Sequence, residues 1–506
     1  MNSERKDILI IGGGLGGLFT GAILAREGRQ VTVLEKNATA GGGLQSFQRF
    51  GEIFDTGMHI IAGMQPGGNV RRICEYLGIM DKVSIMDVDA DCTDELYFAE
   101  DGQTYRIAKG RKGYVDSLSA YFPNERANIE AYVEAIFAIT REVPLFNLEP
   151  SGPGIPVHSE NFTMSADAFI AKYIADRKLR SVIAYMNPLY GGRGNQTPAY
   201  IHAIINVLYI MGASRFKGGS CRFADLLCSV ITANGGEVIT GDGAEWIEVA
   251  DRRIEYVRTR SGRLFTADRY ISAIHPCTLF GIMPQKAFPK AYRDRLNSLP
   301  NAYSAFSLYV KFRKETFPYI NHSEFYMTRY DDIWNFGRAD RPWPLGFLFM
   351  TSPGDGQGRW ATHALVTAPM LFDEVRQWED TKVGRRGSEY IAWKERQSER
   401  LLALIEEMHP GFSKTVERVN SASPLTIRDF YGAKEGTLCG FSKDYSNLAL
   451  TQVPVVTKIS NLLLTGQNVN LHGFCGVPLT AIQTCEAILG AGAVLSSIRK
   501  HTKKDE

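Results

Sequence analysis

A glycine-rich turn between an apolar strand and a helix constrains the fold of this chain more than any other feature. Residues 7–11 read Asp-Ile-Leu-Ile-Ile, a run typical of a buried parallel strand. The spacing G-x-G-x-x-G follows at once, at Gly12, Gly14 and Gly17. A helix is predicted over 15–27, ended by a glycine, and a second strand over 30–34. This strand–turn–helix–strand order predicts a parallel α/β unit that binds a dinucleotide.

Each residue type in the turn has a physical role. Gly12 allows the tight turn, Gly14 lets the backbone approach a pyrophosphate, and Gly17 lets helix and strand pack closely. The helix that begins at Leu15-Gly16 offers free N–H groups and a partial positive charge to the phosphates. Glu35, followed by Lys36, ends the second strand, where a carboxylate accepts from a ribose hydroxyl and repels a 2′-phosphate. This argues against NADP at this turn.

Two further segments favour FAD over NAD as the dinucleotide. A second glycine cluster, Gly41-Gly42-Gly43-Leu44, follows the second strand, where the longer arm of FAD would need another close backbone approach. Near the C-terminus, an apolar strand over 461–464 ends in Gly466-Gln467. The segment 473–479, with Gly476 and Val477, then opens a helix predicted over 480–496. The start of that helix is suited to stabilise negative charge on a reduced flavin ring.

These segments resemble the family of phytoene desaturases, carotenoid isomerases and retinol saturases, within the wider amine-oxidase-like flavoproteins. The resemblance is carried by three motifs, Gly41-Gly42-x-x-x-Ser46-Phe47, Phe54-Asp55-Thr56-Gly57-x-His59 and Leu464-Thr465-Gly466-Gln467, and is strongest to the retinol saturase branch. The sequence departs from the pattern in two places. Gln467 stands where many relatives have an acid, and Gly43 where many have an arginine.

The resemblance implies an α/β fold, with a discontinuous Rossmann-like FAD-binding domain and an α+β substrate domain. The FAD-binding domain is expected at 1–70, 215–285 and 446–506, with a mainly helical insertion at 71–214 and a strand-and-helix insertion at 286–445. The resemblance also implies non-covalent FAD contacts at His59 and at the backbone of Ala244. Within the insertions, helices are predicted over 70–77, 126–141, 166–176, 200–211 and 388–408, and a strand over 302–312. Within the second part of the expected FAD-binding domain, 215–285, a helix is predicted over 223–234 and strands over 244–249, 253–259 and 263–267.

The predicted chemistry is hydride transfer between FAD and a C–C bond of a lipophilic polyene. His472, in the loop expected to reach the flavin, and Tyr190 are the candidate catalytic acids or bases. Candidate lining of an apolar substrate tunnel comes from 185–190, 201–212 and 347–350. No second G-x-G-x-x-G stands between a strand and a helix, so an external electron donor or acceptor is expected, and NAD(P)H and quinone stay open.

Three other functions stay open at this stage. The same fold serves a phytoene or carotenoid desaturase or a cis–trans isomerase. An amine oxidase ranks lower, because the C-terminal loop lacks a clear pair of aromatic residues. A binding protein that holds FAD as a structural element ranks last, because the insertions are large.

Composition limits the kinds of partner that this chain is expected to bind. The net charge is +2 and the basic residues are dispersed, which gives no reason to expect a nucleic-acid partner. The eight cysteines show no metal-ligand spacing, so no metal is expected. The longest apolar run, 201–213, is shorter than the ~20 residues that span a bilayer. We therefore expect a cytoplasmic protein without a transmembrane segment, with peripheral contact at the inner face of the membrane left open. The sequence does not set the oligomeric state.

Overall fold

A computed structural model describes residues 4–57, 59–151, 157–353 and 358–502. Two seven-stranded sheets organise these residues. The strands of the first sheet are Glu4–Ile11, Val31–Leu34, Glu237–Ile239, Ala244–Ala250, Arg253–Thr259, Leu264–Ser272 and Leu462–Leu464. Those of the second sheet are Asp94–Phe98, Gln103–Ile107, Ser304–Phe312, Ser323–Met327, Gly346–Pro353, Ala361–Met370 and Val416–Ala422.

The described helices of eight or more residues surround the two sheets. They are Leu15–Arg26, Asn69–Leu77, Gly110–Tyr121, Arg126–Arg141, Ala166–Tyr173, Ala199–Met211, Cys221–Ala233, Lys290–Ser298, Ser388–Met408, Pro424–Tyr431, Gly473–Leu489 and Ala493–Thr502. Short strands add a ribbon of Ser46–Arg49 with Glu52–Asp55 and a small sheet of Ile61–Ala62, Ala213–Phe216 and Ile85–Asp87. The predicted α/β class is confirmed.

The first strand explains why the first sheet is covered on both faces. Successive side chains of a strand point to opposite faces. Ile8 and Ile10 accordingly enter one hydrophobic core, with the helix Leu15–Arg26, while Leu9 and Ile11 enter another on the opposite face. All four side chains are buried, as a continuous apolar run requires in a parallel sheet covered on both sides.

The parallel strands of the first sheet end at one common edge. Glu4–Ile11 lies between Val31–Leu34 and Leu264–Ser272, parallel to both. The end of Leu264–Ser272 also pairs in parallel with Leu462–Leu464. Segments far apart in the chain therefore deliver their carboxyl ends to the same place, which is where open α/β sheets bind ligands. The division into domains by residue number stays a prediction.

Three expectations need correction. The last long helix begins at Gly473 rather than at residue 480, and it ends at Leu489, because Gly490 takes a left-handed φ of 103° and Gly492 a φ of 75°. A separate helix, Ala493–Thr502, follows. The helix predicted over 166–176 ends at Tyr173, and the strand predicted over 263–267 continues to Ser272.

The first insertion is less purely helical than its sequence indicates. Asp94–Phe98 and Gln103–Ile107 form a hairpin at one edge of the second sheet. Asp94–Phe98 alternates buried and half-buried positions and pairs in parallel with Ser323–Met327. That partner lies more than 200 residues away in sequence, so the local pattern gives no sign of where the strand pairs.

Candidate active site at the edge of the first sheet

The predicted glycine turn is tied to the end of the second strand. The backbone N–H of Gly12 donates to the Leu34 carbonyl at 2.8 Å. The Glu35 carboxylate accepts from the N–H of Gly13 at 2.9 Å and from the N–H of Asn37 at 2.8 Å. Burial raises the pKa of Glu35, against the opposing effect of these backbone donors. Each carboxylate oxygen keeps a second lone pair, so this acid is also able to accept from a ribose hydroxyl.

The second glycine cluster lies directly against the first. The N–H of Gly41 donates to the Gly13 carbonyl at 2.7 Å, and Gly42, Gly43 and Leu44 form a single helical turn. A Cβ added to Gly42 would stand 3.0 Å from the Cα of Gly14. Two stretches of backbone therefore face each other without intervening side chains. A cradle of this kind fits an extended pyrophosphate arm, which needs close backbone approach.

The C-terminal segment packs on the same turn through Gly16. A Cβ on Gly16 would lie 2.8 Å from the Cα of Gly466 and 3.5 Å from the side chain of Val477. Gly476 is similarly restricted, because a Cβ there would stand 2.6 Å from the Cβ of Leu471. The structure thus brings together the three glycine segments that the sequence analysis selected. The side chain of Gln467 lies beside Gly440.

Two other predicted contacts lie at the ends of this edge. The Nζ of Lys36 donates to the Asp429 carbonyl at 2.6 Å, and burial lowers its pKa. The side chain of Lys36 packs against Gly243, so Ala244 lies next to the end of the second strand. The N–H of Asp242 donates to the Glu35 carbonyl at 3.1 Å, which fixes this approach. Ala244 is therefore placed beside the acid expected to bind a ribose.

The Phe54–His59 motif joins the ribbon to the helix Cys221–Ala233. Asp55 Oδ1 accepts from the N–H and the Oγ of Ser220, at 2.7 and 2.9 Å, and from the Oγ of Ser46 at 2.7 Å. Met58, within the motif, lies outside the described residues. His59 is half-buried, and its buried Nδ1 has no hydrogen-bond partner among the described residues. Burial, reinforced by the charge of Arg215, lowers the pKa of His59 to about 4.

A small apolar cavity lies where the helix Ala199–Met211 meets the start of the helix Gly473–Leu489. Its volume is about 10 Å³, room for about one water molecule. It is lined by Ile201, Ile204, Ile205, Leu208, Leu471, His472, Cys475, Gly476 and Leu479. A polyene is far larger, so binding one requires these side chains to move apart. Part of the predicted 201–212 lining is therefore found at the cavity, whereas Phe347 and Phe349 lie in the core of the second sheet.

The two candidate catalytic residues lie in different surroundings. His472 lines the cavity, and within the part of the chain that the structure describes neither of its ring nitrogens has a hydrogen-bond partner. Tyr190 instead has its OH 2.9 Å from His202 Nδ1, and Tyr132 OH lies 2.7 Å from His202 Nε2. His202 does not line the cavity. At about 100° per residue it lies roughly 110° around the helix from the centre of the face formed by Ile201, Ile204, Ile205 and Leu208, and therefore to one side of the cavity.

Lys443 is a candidate that sequence reasoning missed. Its side chain is buried, and its charge helps to hold the pKa of His472 low, at about 4, where burial is the larger cause. Burial lowers the pKa of Lys443 itself to about 8. No local pattern marks this lysine, because its surroundings are set by residues elsewhere in the chain. The one signal was its position three residues after Gly440, in a loop that packs against Gln467 and Asn468.

The structure brings one set of metal-ligand types together despite their unfavourable spacing. Single ligand atoms of Cys92, Glu95 and His322 lie within 4.8 Å of one another. Arg106 already supplies positive charge there, with its Nε 3.6 Å from Glu95 Oε2. We assign no metal function to this set.

The sheet topology and the paired glycine segments give this chain the fold of the solved amine oxidases. A model of the NAD(P)-binding Rossmann-like domain matches residues 10–77. Among solved structures, an oxidoreductase from Methanosarcina mazei matches with a TM-score of 0.63 and 19% identity, over 95% of this chain and 100% of that one. Cyclohexylamine oxidase from Brevibacterium oxydans matches with a TM-score of 0.61 and 14% identity, over 98% of this chain and 99% of that one.

Sequence relatives indicate a narrower group of similar proteins than the solved structures do. The chain is 26% identical to all-trans-retinol 13,14-reductase of Rattus norvegicus, over 99% of this chain and 89% of the relative. It is 24% identical to the chloroplastic prolycopene isomerase of Arabidopsis thaliana, over 85% of this chain and 73% of the relative. The resemblance predicted from the motifs, to the phytoene desaturase, carotenoid isomerase and retinol saturase group of FAD-dependent oxidoreductases, is confirmed.

The structure addresses one part of the membrane prediction, the expected lack of a transmembrane helix. None of the helices in the described ranges combines the length and apolar character needed to cross a bilayer. The helix Ala199–Met211, which holds most of the longest apolar run, is instead buried within the protein.

Proposed function

We propose that this chain binds FAD non-covalently along the edge of the first sheet. The close approach of Gly14 and Gly42 supports this, because both residues are half-buried and without side chains, so two backbone segments are available to a ligand at one place. The acid at Glu35 supports binding of the ribose. Gly16, Gly466 and Val477 bring the C-terminal helix to the same cradle. The predicted contacts at Lys36, Gly43, Leu44, His59, Ala244 and Gln467 stay part of this proposal.

We further propose that the enzyme acts on a C=C or CH–CH bond of a lipophilic polyene, as a retinol 13,14-reductase-like saturase. The observation that carries this proposal is the match over 99% of this chain to the all-trans-retinol 13,14-reductase of Rattus norvegicus. The small apolar cavity at the start of the C-terminal helix, which His472 lines, is the place where we propose that the substrate enters. When bound, FAD supplies the hydride chemistry. The chain supplies apolar walls that exclude water and orient a substrate with few polar groups.

His472 is the proposed proton carrier. Saturating a double bond adds one hydride and one proton, so a residue on the cavity must hold a proton within reach of the second carbon. Burial holds the pKa of His472 at about 4, so the imidazolium that donates the proton is a minor form at pH 7, and saturation should become faster as the pH falls toward 4. Tyr190 is the weaker candidate, because its hydroxyl is already bonded to His202.

The isomerase function is retained as a second candidate, because the Arabidopsis relative that matches most of this chain is named as one. The amine oxidases share the fold at less than 25% identity, which leaves amine oxidation as a weaker alternative. A lipophilic substrate partitions into bilayers. We therefore propose a cytoplasmic enzyme that contacts the inner membrane face to load substrate and exchanges electrons with a separate NAD(P)H or quinone partner.

The mass of the product separates these candidates. Purified protein is reconstituted with FAD, reduced anaerobically with dithionite and incubated with all-trans-retinol or with a poly-cis carotene. A product heavier than the substrate by two hydrogens supports the saturase, and a product of unchanged mass with a new retention time supports the isomerase. In a parallel incubation with oxidised enzyme, a product lighter by two hydrogens supports the desaturase. His472→Gln should reduce saturation about 100-fold without loss of bound flavin. Oxidation of amines with no reaction of either polyene would contradict the proposal.

A further inference from the structure

The helix Pro424–Tyr431 connects the second sheet to the cofactor edge of the first. It directly follows Val416–Ala422, an edge strand of the second sheet, and it packs on the second glycine cluster. Ser423 caps the start of the helix and lies with its Oγ 2.6 Å from the OH of Tyr390, and Gly432 ends the helix with a left-handed φ of 69°. Because both ends are fixed, the helix is a firm extension of the second sheet.

The C-terminal end of this helix is bonded to the two residues that follow Glu35. The Nζ of Lys36 donates to the Asp429 carbonyl at 2.6 Å. The Nδ2 of Asn37 donates to the Phe430 carbonyl at 2.9 Å. Both carbonyls lie in the last turn, where a helix supplies no partners of its own. The cofactor edge of the first sheet therefore satisfies the end of a helix that belongs to the second sheet.

The last residue of the helix, Tyr431, approaches the second glycine cluster across Gly57. A Cβ added to Gly57 would stand 2.2 Å from the OH of Tyr431 and 3.1 Å from the carbonyl oxygen of Gly43. A side chain at position 57 would overlap the phenol. The lack of a side chain at Gly57 is therefore what allows the Tyr431 hydroxyl to lie beside the backbone of the second cluster.

The Tyr431 hydroxyl has only a weak partner among the described residues. It donates to Thr56 Oγ1 at 3.4 Å, whereas bonds between two hydroxyls favour about 2.7–2.8 Å. The Thr56 hydroxyl donates in turn to the Gln45 carbonyl at 2.9 Å. Burial raises the pKa of Tyr431 to about 12, so the phenol keeps its proton at neutral pH. A hydrogen-bond donor is thus available beside the second glycine cluster.

The place of this donor suits a ligand that lies along the glycine segments. Gly14 and Gly42 offer backbone without side chains there, and Tyr431 offers a hydroxyl beside the same cluster. A hydroxyl that donates to a charged phosphate oxygen forms a shorter and stronger bond than one that donates to a neutral hydroxyl. The pyrophosphate–ribityl arm of FAD carries phosphate oxygens, so it offers a better acceptor than Thr56 does.

We propose that the Tyr431 hydroxyl donates to an oxygen on the pyrophosphate–ribityl arm of FAD, so that a helix of the second sheet helps to retain the cofactor. This inference rests on the proposed function, because it assumes that FAD binds along the glycine segments. The bond to FAD replaces the long bond to Thr56. Together with the bonds from Lys36 and Asn37, it holds the end of the helix on the cofactor edge, and release of FAD then requires the helix to move away.

The test is the rate at which the holoprotein releases FAD, followed by the fluorescence of free FAD after dilution. Tyr431→Phe keeps the ring and removes only the hydroxyl, so we expect release to become about tenfold faster. Asn37→Ala removes one bond to the helix end and should speed release about threefold. Tyr326→Phe is the matched control. It removes a hydroxyl that donates to Glu407 at 3.0 Å elsewhere in the second sheet, and it should leave the rate unchanged.

A second measurement, trypsin digestion of the unmodified protein, needs no variant. Arg428 lies within the helix and Lys434 just after it, so cleavage at these residues requires the helix to open locally. FAD should slow cleavage after Arg428 and Lys434 by about fivefold relative to cleavage after Lys314. Lys314 is the internal control, because its side chain is 91% exposed and lies outside the cofactor edge.

The outcomes separate this inference from the proposed function. A folded, flavin-loaded Tyr431→Phe protein that releases FAD at the unmodified rate would overturn the inference and leave FAD binding intact. If that variant does not fold, cleavage after Arg428 that FAD slows no more than cleavage after Lys314 overturns it instead. Failure of the unmodified chain to bind FAD would contradict the proposed function, and the inference with it.

Discussion

The cofactor edge and the substrate cavity arrange their functional atoms in different ways. At the cofactor edge, backbone groups do most of the work, and glycines at Gly14, Gly16 and Gly42 keep side chains out of the way. At the cavity, the functional atoms belong to a side chain, His472, which is buried among apolar lining residues. The cofactor edge depends on positions that lack side chains, whereas the cavity depends on the His472 ring, whose nitrogens have no hydrogen-bond partner among the described residues.

The difference teaches where each site is vulnerable. A backbone cradle fails when a side chain is added, because packed backbone does not move aside. A cavity with unpartnered polar groups tolerates added volume better, but its chemistry depends on single side chains. Substitutions at the two sites should therefore separate loss of cofactor from loss of turnover.

The largest effect is expected at Gly17. A Cβ there would overlap the carbonyl oxygen of Gly12, so Gly17→Val must displace the helix Leu15–Arg26 from the first strand. We expect a destabilisation of at least about 3 kcal/mol and loss of bound flavin. Gly281→Ala is the control, since nothing lies within 4 Å of an added Cβ at that helix end. Thermal unfolding and flavin content check the prediction, and a stable, flavin-loaded Gly17→Val protein would break the comparison.

Glu35 should give the next largest effect at the cofactor edge. Glu35→Ala removes two hydrogen bonds from backbone N–H groups to a charged acceptor, each worth about 1.5–3 kcal/mol. Part of that energy holds the turn in shape, so we expect FAD affinity to fall about 10- to 100-fold in a fluorescence titration of the apoprotein. Glu237→Ala is the matched control: its ion pair with Lys6 is partly exposed and should contribute about 1 kcal/mol or less. Equal losses in both variants would argue against a special role for Glu35.

At the cavity, a larger side chain should reduce turnover and spare the cofactor. Leu208→Trp fills the small cavity, and the added volume should cost about 1–3 kcal/mol where the substrate must enter. We expect about a tenfold loss of activity with flavin content unchanged. Met211→Trp, on the same helix but 39% exposed, is the control. If Leu208→Trp leaves activity intact, the polyene does not bind on this side of the helix.

The smallest effect is expected at Tyr190. Tyr190→Phe removes one hydrogen bond to His202, worth about 1 kcal/mol of stability, in a network whose residues do not line the cavity. We expect product formation to change less than about twofold. Measurement of product by chromatography at matched flavin content checks this. A loss as large as that of His472→Gln would restore Tyr190 as the catalytic acid.

The sequence allowed much of the cofactor edge to be predicted, for a physical reason. Close backbone approach requires glycine, and Gly12, Gly14 and Gly17 stand at fixed spacing beside a strand of Ile and Leu. The pairing of Glu35 with Gly13 follows from the same spacing, because parallel strands end at one edge. Patterns of this kind are local, so they can be read without knowledge of distant contacts.

The remaining features depend on contacts between distant segments. The place of the strand Asp94–Phe98 in a sheet could not be predicted from its own sequence, because its partner Ser323–Met327 is distant in the chain. Lys443 can be recognised only in the folded structure, where burial lowers its pKa and its charge lowers the pKa of His472. The end of the C-terminal helix at Leu489 could have been read from Gly490 and Gly492, whereas its early start at Gly473 runs through Pro478, a residue that discourages helix interiors.

The most direct test of the account is the reaction of reduced enzyme with a polyene. Holoenzyme reduced anaerobically is mixed with all-trans-retinol in detergent in a stopped-flow instrument, and flavin absorbance is followed with a simple amine as the comparison. The account predicts that retinol reoxidises the flavin and that one equivalent of a product with two added hydrogens appears for each flavin reoxidised. Flavin that stays reduced with retinol, while oxidised enzyme is readily reduced by the amine, would contradict the account.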